Sequence, residues 1–155
     1  MITTNTKLIE FQFKIIHRVY ASDSYVSNFD NTVSKVCILC KVDNNSPHLF
    51  VDCIKVDNFW KNFKTWLNNV TGRVFPITTV DIIFGILSGT VKSVNFCVLH
   101  AKWFIHINKQ IDHHVNFVHF LRYLKDVLVI EKQIAVNQKS VAYFNSTFKD
   151  ILNVL

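Results

Sequence analysis

Cys37-Ile38-Leu39-Cys40 and, after seven intervening residues, His48-Leu49-Phe50-Val51-Asp52-Cys53 place three cysteines and one histidine within seventeen residues. Three thiolates and one imidazole at this spacing match the ligands of a tetrahedral structural zinc ion. The chain has four cysteines, so only Cys97 lies outside the motif. The sequence therefore predicts a zinc centre formed by Cys37, Cys40, His48 and Cys53.

The two halves of the motif predict different local structures. Cys37 and Cys40 form a tight knuckle, whereas Ser46-Pro47 before the histidine is typical of a helix cap followed by the first helical residue. On an ideal helix His48 and Cys53 would lie about 140° apart around the axis. We therefore expect either a distorted first turn or a helix that starts nearer Cys53.

Other interpretations of the cysteines stay open. Buried thiols can simply fill a hydrophobic core, and a Cys-x2-Cys pair can be a redox centre. No thioredoxin-like alternation of strand and helix surrounds this pair, however. A disulfide framework is disfavoured, because a histidine has no role in one and the N-terminus shows no secretory signal.

Composition indicates a folded, mainly α protein. Half of the 155 residues are hydrophobic, fourteen are phenylalanine, and only three glycines and two prolines supply turns for a sheet. No apolar stretch reaches the roughly eighteen residues of a membrane span, so we expect no membrane partner and an intracellular location, cytoplasmic and/or nuclear.

Periodicity predicts a helical zinc-binding region over residues 1–72 and a C-terminal helical region over 73–155, or one continuous domain. In the first region we expect a helix over Lys7–Tyr20, a short helix through Tyr25, Val26 and Phe29, and a helix from His48 to about Asn69, which Gly72 stops. In the second region we expect a helix over Val80–Phe84, capped by Thr78 or Thr79. Three further helices are expected over Thr90–Lys109, Val115–Val136 and Val141–Leu152. Expected breaks are Gly85, Gly89, Asp112-His113-His114 and Asn137-Gln138.

Elements on both sides of the cysteines follow an order found in a known family. Leu8-Ile9-Glu10-Phe11-Gln12-Phe13-Lys14-Ile15-Ile16-His17-Arg18 precedes the knuckle, and Asn58-Phe59-Trp60 follows the His-Leu-Phe-x-x-Cys half. This order resembles the C-terminal zinc-binding region of LINE-type (non-LTR) retrotransposon reverse transcriptases. The resemblance implies a zinc cofactor, RNA or DNA as partner, and contact with the rest of a reverse transcriptase polyprotein.

The resemblance continues beyond the motif, over about residues 7–152. Asp81-Ile82-Ile83-Phe84-Gly85 is similar to a short hydrophobic-Phe-Gly element of animal members. The stretches from Asn95 to Ile105, and from Phe120 to Lys125 with Glu131 to Ala135, are similar to two later helices of the family.

Net charge favours a nucleic-acid partner. The chain carries +6 at pH 7, and three thiolates with one zinc dication would lower this to +5. Single-stranded or structured RNA is the favoured partner. The candidate contact residues flank the cysteine motif and are Lys14, His17, Arg18, Lys35, Lys41, Lys55, Lys61 and Lys64.

The acidic residues do not indicate an enzyme. Polymerase chemistry uses paired carboxylates to hold two metal ions, and the eleven acidic residues here are scattered. A Cys97–His100 pair, three residues apart on a helix, is a weaker catalytic hypothesis. We therefore expect no catalytic residue. Two alternatives to nucleic-acid binding stay open: a structural or protein-interaction domain, and a decayed retrotransposon fragment.

Overall fold

The computed structural model describes residues 3–86, 92–108 and 115–155. In these ranges the backbone is helical apart from loops and one antiparallel bridge, Val36 with Asp43. The helices are α1 Thr6–Ile16, α2 Asp23–Val26, a π-helical turn at His48–Asp52, α3 Ile54–Thr71, α4 Thr79–Phe84, α5 Lys92–Ile107, α6 Phe117–Asn137 and α7 Val141–Leu152. The mainly α fold is confirmed, with extended pairing confined to the knuckle.

Helix α1 ends at Ile16, four residues earlier than predicted. Arg18 adopts a left-handed φ of 59°, and the Tyr20 N–H donates instead to the Lys14 carbonyl at 3.0 Å. Ile16, the last residue of the helix, is exposed. The core residues of α1 are Leu8, Phe11 and Ile15.

Helix α3 supplies the aromatic centre of the core. Gly72 ends it in a left-handed conformation with φ of 63°, as the stop signal predicted. The Phe59 ring lies 5.3 Å from Phe120 and 6.4 Å from Phe104, measured between centroids, so α3 packs against both α5 and α6. The buried apolar stripe of α3 includes Phe59, Trp60, Phe63, Trp66 and Leu67.

Helix α5 is buried on nearly every side, because it packs against α1, α6, α7 and the π turn. Its predicted ends, Thr90 and Lys109, lie outside the described residues. The core that surrounds α5 includes residues from both predicted regions, 1–72 and 73–155.

The remaining connections follow local signals. Thr78 and Asp81 form the capping box of α4, and residues 138–140 separate α6 from α7 at the predicted interruption. The predicted breaks at Gly89 and at 112–114 lie outside the described residues. No helix in the described ranges has the length and apolar character to cross a membrane.

Lys102 on α5 is a buried amine that joins three helices. Its side chain is 2% exposed, and Nζ donates to the Ile83 carbonyl at 3.2 Å and to the side-chain oxygen of Gln12. The Gln12 amide donates to the same Ile83 carbonyl at 2.8 Å, so α1, α4 and α5 meet at one polar cluster. Burial lowers the pKa of Lys102 to about 7.

This lysine predicts a stability that rises with pH. Above pH 7 the folded chain keeps Lys102 neutral, whereas in the unfolded chain the amine stays protonated up to about pH 10.4. The unfolded state then binds more protons, so the free energy of unfolding should rise between pH 7 and 9 by up to about 1.4 kcal/mol per pH unit. Urea unfolding of the metal-loaded protein measures this slope. Lys102→Met should flatten it, whereas Lys125→Met on exposed α6 should not.

Candidate metal centre

The four predicted ligands converge. One donor atom from each of Cys37, Cys40, His48 and Cys53 lies within 4.8 Å of all the others. The Cys53 sulfur is 4.0 Å from the Cys37 sulfur and 3.8 Å from the Cys40 sulfur. A tetrahedral ion with zinc–sulfur bonds of about 2.3 Å separates its sulfurs by about 3.8 Å, whereas a disulfide needs about 2.0 Å. The cluster can therefore hold one metal ion.

A short turn brings the first two sulfurs together. The Lys41 N–H donates to the Cys37 carbonyl at 2.9 Å, and the Cys37 N–H donates to the Val42 carbonyl at 2.8 Å. Lys41 takes a left-handed φ of 60°, which reverses the chain directly after Cys40. The bridge between Val36 and Asp43 closes the base of this knuckle.

The second half of the motif has the predicted distortion. The Cys53 N–H donates to the His48 carbonyl five residues earlier, at 2.8 Å, which makes this turn π-helical. The wider turn replaces the regular helix in which the two side chains would diverge. Cys53 then has extended backbone, and α3 begins at Ile54.

The predicted cap of this turn is off by one residue. The side-chain oxygen of Asn45, rather than that of Ser46, accepts the His48 N–H at 2.9 Å. Helical backbone already begins at Ser46, so Pro47 is the second helical residue. Asn and Ser are comparable caps, and the sequence holds both side by side.

Phe50 anchors the ligand-bearing turn in the core. Its side chain is fully buried, with ring centroids 5.6 Å from Phe11 and 5.0 Å from Tyr20. The indole N–H of Trp60 donates to the Phe50 carbonyl at 2.7 Å. His48 and Cys53 are therefore held at the two ends of a turn that the core fixes.

Backbone amides surround the sulfurs. Burial by itself raises the pKa of the Cys37 thiol, but hydrogen bonds from the backbone of Cys40, from His48 and from the backbone of Leu39 outweigh it and lower this pKa to about 6. Burial, together with the nearby Cys40 and Cys37 thiols, raises the pKa of Cys53 to about 11. Three thiols in such proximity resist joint ionisation unless a cation neutralises them.

His48 has the features of a ligand. Its ring is buried, and Nε2 has no hydrogen-bond partner among the described residues. A buried polar atom without a partner costs free energy, which metal coordination can offset. A Cys3His donor set fills a tetrahedral ion completely and is typical of structural zinc.

The predicted nucleic-acid contacts lie in three places. Lys14, His17 and Arg18 are exposed at the end of α1, Lys35 and Lys41 are exposed on the knuckle, and Lys55, Lys61 and Lys64 lie on α3. Two of these cations already pair with a carboxylate four residues earlier, Lys14 with Glu10 at 2.6 Å and Lys61 with Asp57 at 2.7 Å. Lys55 and Lys64 are half-buried.

The catalytic hypothesis gains no support from α5. Burial raises the pKa of the Cys97 thiol, which is fully buried. The His100 Nδ1 atom hydrogen-bonds to the Tyr123 hydroxyl at 2.9 Å rather than to Cys97. An inert thiol without a base does not form a nucleophile.

Fold and site together define a helical protein with a Cys3His centre that can hold a metal ion. No protein-family model, curated protein or solved structure matches the chain. The relation to LINE-type reverse transcriptases therefore stays a prediction from the motifs.

Removing the metal should loosen the chain first around the ligands. Metal binding contributes folding free energy where the ligands sit, whereas α5, α6 and α7 bury apolar surface of their own. Hydrogen exchange of chelator-treated protein should accelerate first between Val33 and Phe59. Uniform acceleration along the chain would instead show that the whole core depends on the metal.

Proposed function

We propose that the Cys3His centre binds zinc and that the zinc-stabilised domain binds RNA or DNA, with single-stranded or structured RNA favoured. The observation that carries the proposal is a metal knuckle bordered by cations. Lys35 and Lys41 project from the knuckle itself, and Lys55 follows the last ligand by two residues. Lysines around a rigid centre attract phosphates without reading sequence.

The charge of the whole chain supports the same partner. Even with three thiolates and one zinc ion the net charge is +5. Acidic side chains near the knuckle are partly engaged, since Asp23 accepts a hydrogen bond of 2.6 Å from Asn44. Such a surface should bind nucleic acid with a strong dependence on salt and little dependence on sequence.

The role is one of binding rather than catalysis. Within a reverse transcriptase polyprotein such a domain would position template RNA or target DNA for a polymerase located elsewhere. The cysteines are free thiols, and thiols that bind a metal persist in a reducing compartment. We therefore propose that the protein is intracellular, in the cytoplasm and/or nucleus.

A fluorescence-polarisation titration across a salt series tests this function. Zinc-loaded protein is titrated with single-stranded RNA, duplex RNA and duplex DNA. The triple variant Lys55→Gln, Lys61→Gln, Lys64→Gln keeps helix propensity and should weaken binding. It should also flatten the log–log salt slope for single strands by up to about 2, since each phosphate contact contributes about 0.7.

The matched control changes three exposed lysines away from the knuckle, Lys125, Lys132 and Lys149, to Gln. This control should retain most of the parent slope. If the α3 variant binds like the parent and the control does not, the interface lies on α6 and α7. If the parent binds none of the three nucleic acids, the proposed function is wrong.

A second candidate function is supported by an exposed apolar surface on α1 and α4. Ile9, Phe13 and Ile16 recur at helical spacing on α1, while Val80 and Phe84 do so on α4, and these two helices pack together. Five exposed apolar side chains on adjoining helices are typical of a protein contact. If the domain does not bind nucleic acid, this surface would contact the rest of the polyprotein.

A further inference from the structure

A groove of about 430 Å³ adjoins the metal centre. Cys37 and Cys53 form part of its wall, so the groove shares its framework with the predicted zinc site. Its apolar lining includes Ile38 and Leu39, the two residues between the knuckle cysteines. At this volume the groove is near the lower end for small-molecule sites, which suits one small planar group.

The two knuckle residues are unusual in their exposure. Ile38 is 81% exposed and Leu39 is 52% exposed, although both are large and apolar. The turn that carries them is fixed by hydrogen bonds at its base and by two predicted metal ligands at its ends. A rigid turn that holds apolar side chains in water presents a preformed contact surface at little entropic cost.

Polar side chains also line the groove. Lys55 is part of the lining, as are Ser22 and Asn44. The Asn44 side-chain N–H donates to the Asp23 carboxylate at 2.6 Å, and the side-chain oxygen of Asn44 makes no hydrogen bond among the described residues. The groove thus combines an apolar face, the Asn44 side-chain oxygen as an acceptor, one cation, and the Asp23 carboxylate, which the Asn44 amide already engages.

We propose that this groove binds one unpaired base of a single-stranded nucleic acid. The face of the base would pack against Ile38 and Leu39, an exocyclic N–H would donate to Asn44, and the adjoining phosphate would pair with Lys55. Bases within a duplex are stacked and paired, so they cannot enter such a groove. The inference rests on the proposed function and narrows its partner to unpaired strands.

The test is a double substitution, Ile38→Ser with Leu39→Ser, in the zinc-loaded protein. Both side chains are exposed, and serine keeps the backbone N–H of residue 39 that hydrogen-bonds to Cys37. Affinity for single-stranded RNA should fall about tenfold, because the base would no longer bury the apolar surface of these two side chains. The salt slope and the affinity for duplex RNA should stay unchanged, because no cation is removed.

Val129→Ser with Ile130→Ser is the control, since these residues are likewise apolar and exposed but lie on α6. It should bind single strands like the parent. A second measurement needs no variant: an abasic oligonucleotide, which has the phosphates but no bases, should bind the parent about tenfold more weakly than an intact strand.

The outcomes separate this inference from the proposed function. If the parent binds no nucleic acid, the proposed function fails. If the parent binds but the knuckle variant retains full affinity for single strands, or loses affinity for duplex and single strand equally, the groove is not a base site. Equal binding of abasic and intact strands would overturn the inference in the same way.

Discussion

Replacing Cys53 by Ala is expected to abolish stoichiometric metal binding and to destabilise the protein by several kcal/mol. The Cys53 sulfur lies within 4.0 Å of both other motif sulfurs, and the residue also forms the cap from which α3 starts. Loss of one ligand from a closed four-ligand site removes the folding free energy that the metal supplies. Zinc content by mass spectrometry and thermal unfolding measure the two effects.

Cys97→Ala is the matched control for this prediction. Cys97 is the cysteine outside the motif, and its side chain is fully buried in α5. Its removal should cost only about 1 kcal/mol of core packing and leave one zinc ion per chain. A Cys53→Ala protein that retains a full zinc equivalent would contradict the assignment.

Phe50→Ala should have the second large effect. The fully buried ring joins the π turn to Phe11 and Tyr20, so its loss leaves a cavity between the metal centre and α1. Truncation of a buried phenylalanine costs about 3 to 5 kcal/mol. Because His48 and Cys53 lie at the two ends of the same turn, zinc affinity should fall as well. Urea unfolding measures the loss of stability, and competition with a zinc chelator measures the loss of zinc affinity.

Phe29→Ala provides the comparison, since Phe29 is 78% exposed. It should change the free energy of unfolding by no more than about 0.5 kcal/mol and leave zinc affinity unchanged. Equal stability of the Phe50 and Phe29 variants would mean that the π turn is not anchored as described.

The ligand cluster was predictable because the ligands are close in sequence. A Cys-x2-Cys turn brings two sulfurs together by itself. The angle between His48 and Cys53 on an ideal helix predicted either a distorted turn or a helix that starts nearer Cys53, and the structure has a π turn followed by a helix from Ile54. The helical fold followed in the same way from apolar periodicity. The buried stripe of α3 is one such case, since packing and local spacing agree there.

Other features depend on contacts between distant segments. Lys102 and Gln12 are ninety residues apart, and nothing local marks this lysine as buried. The early end of α1 depends on the left-handed Arg18, although that residue has good helix propensity. The groove beside the knuckle is built from residues between Ala21 and Lys55 that are not adjacent in sequence. The sequence alone therefore indicated only the candidate cations Lys35, Lys41 and Lys55 near it.

X-ray absorption at the zinc edge of the purified, zinc-reconstituted protein tests the central claim most directly. A centre formed by Cys37, Cys40, His48 and Cys53 predicts one zinc ion per chain with three sulfur neighbours at about 2.3 Å and one nitrogen at about 2.0 to 2.1 Å. Substoichiometric zinc, or a first shell with oxygen ligands in place of these sulfurs, would contradict it.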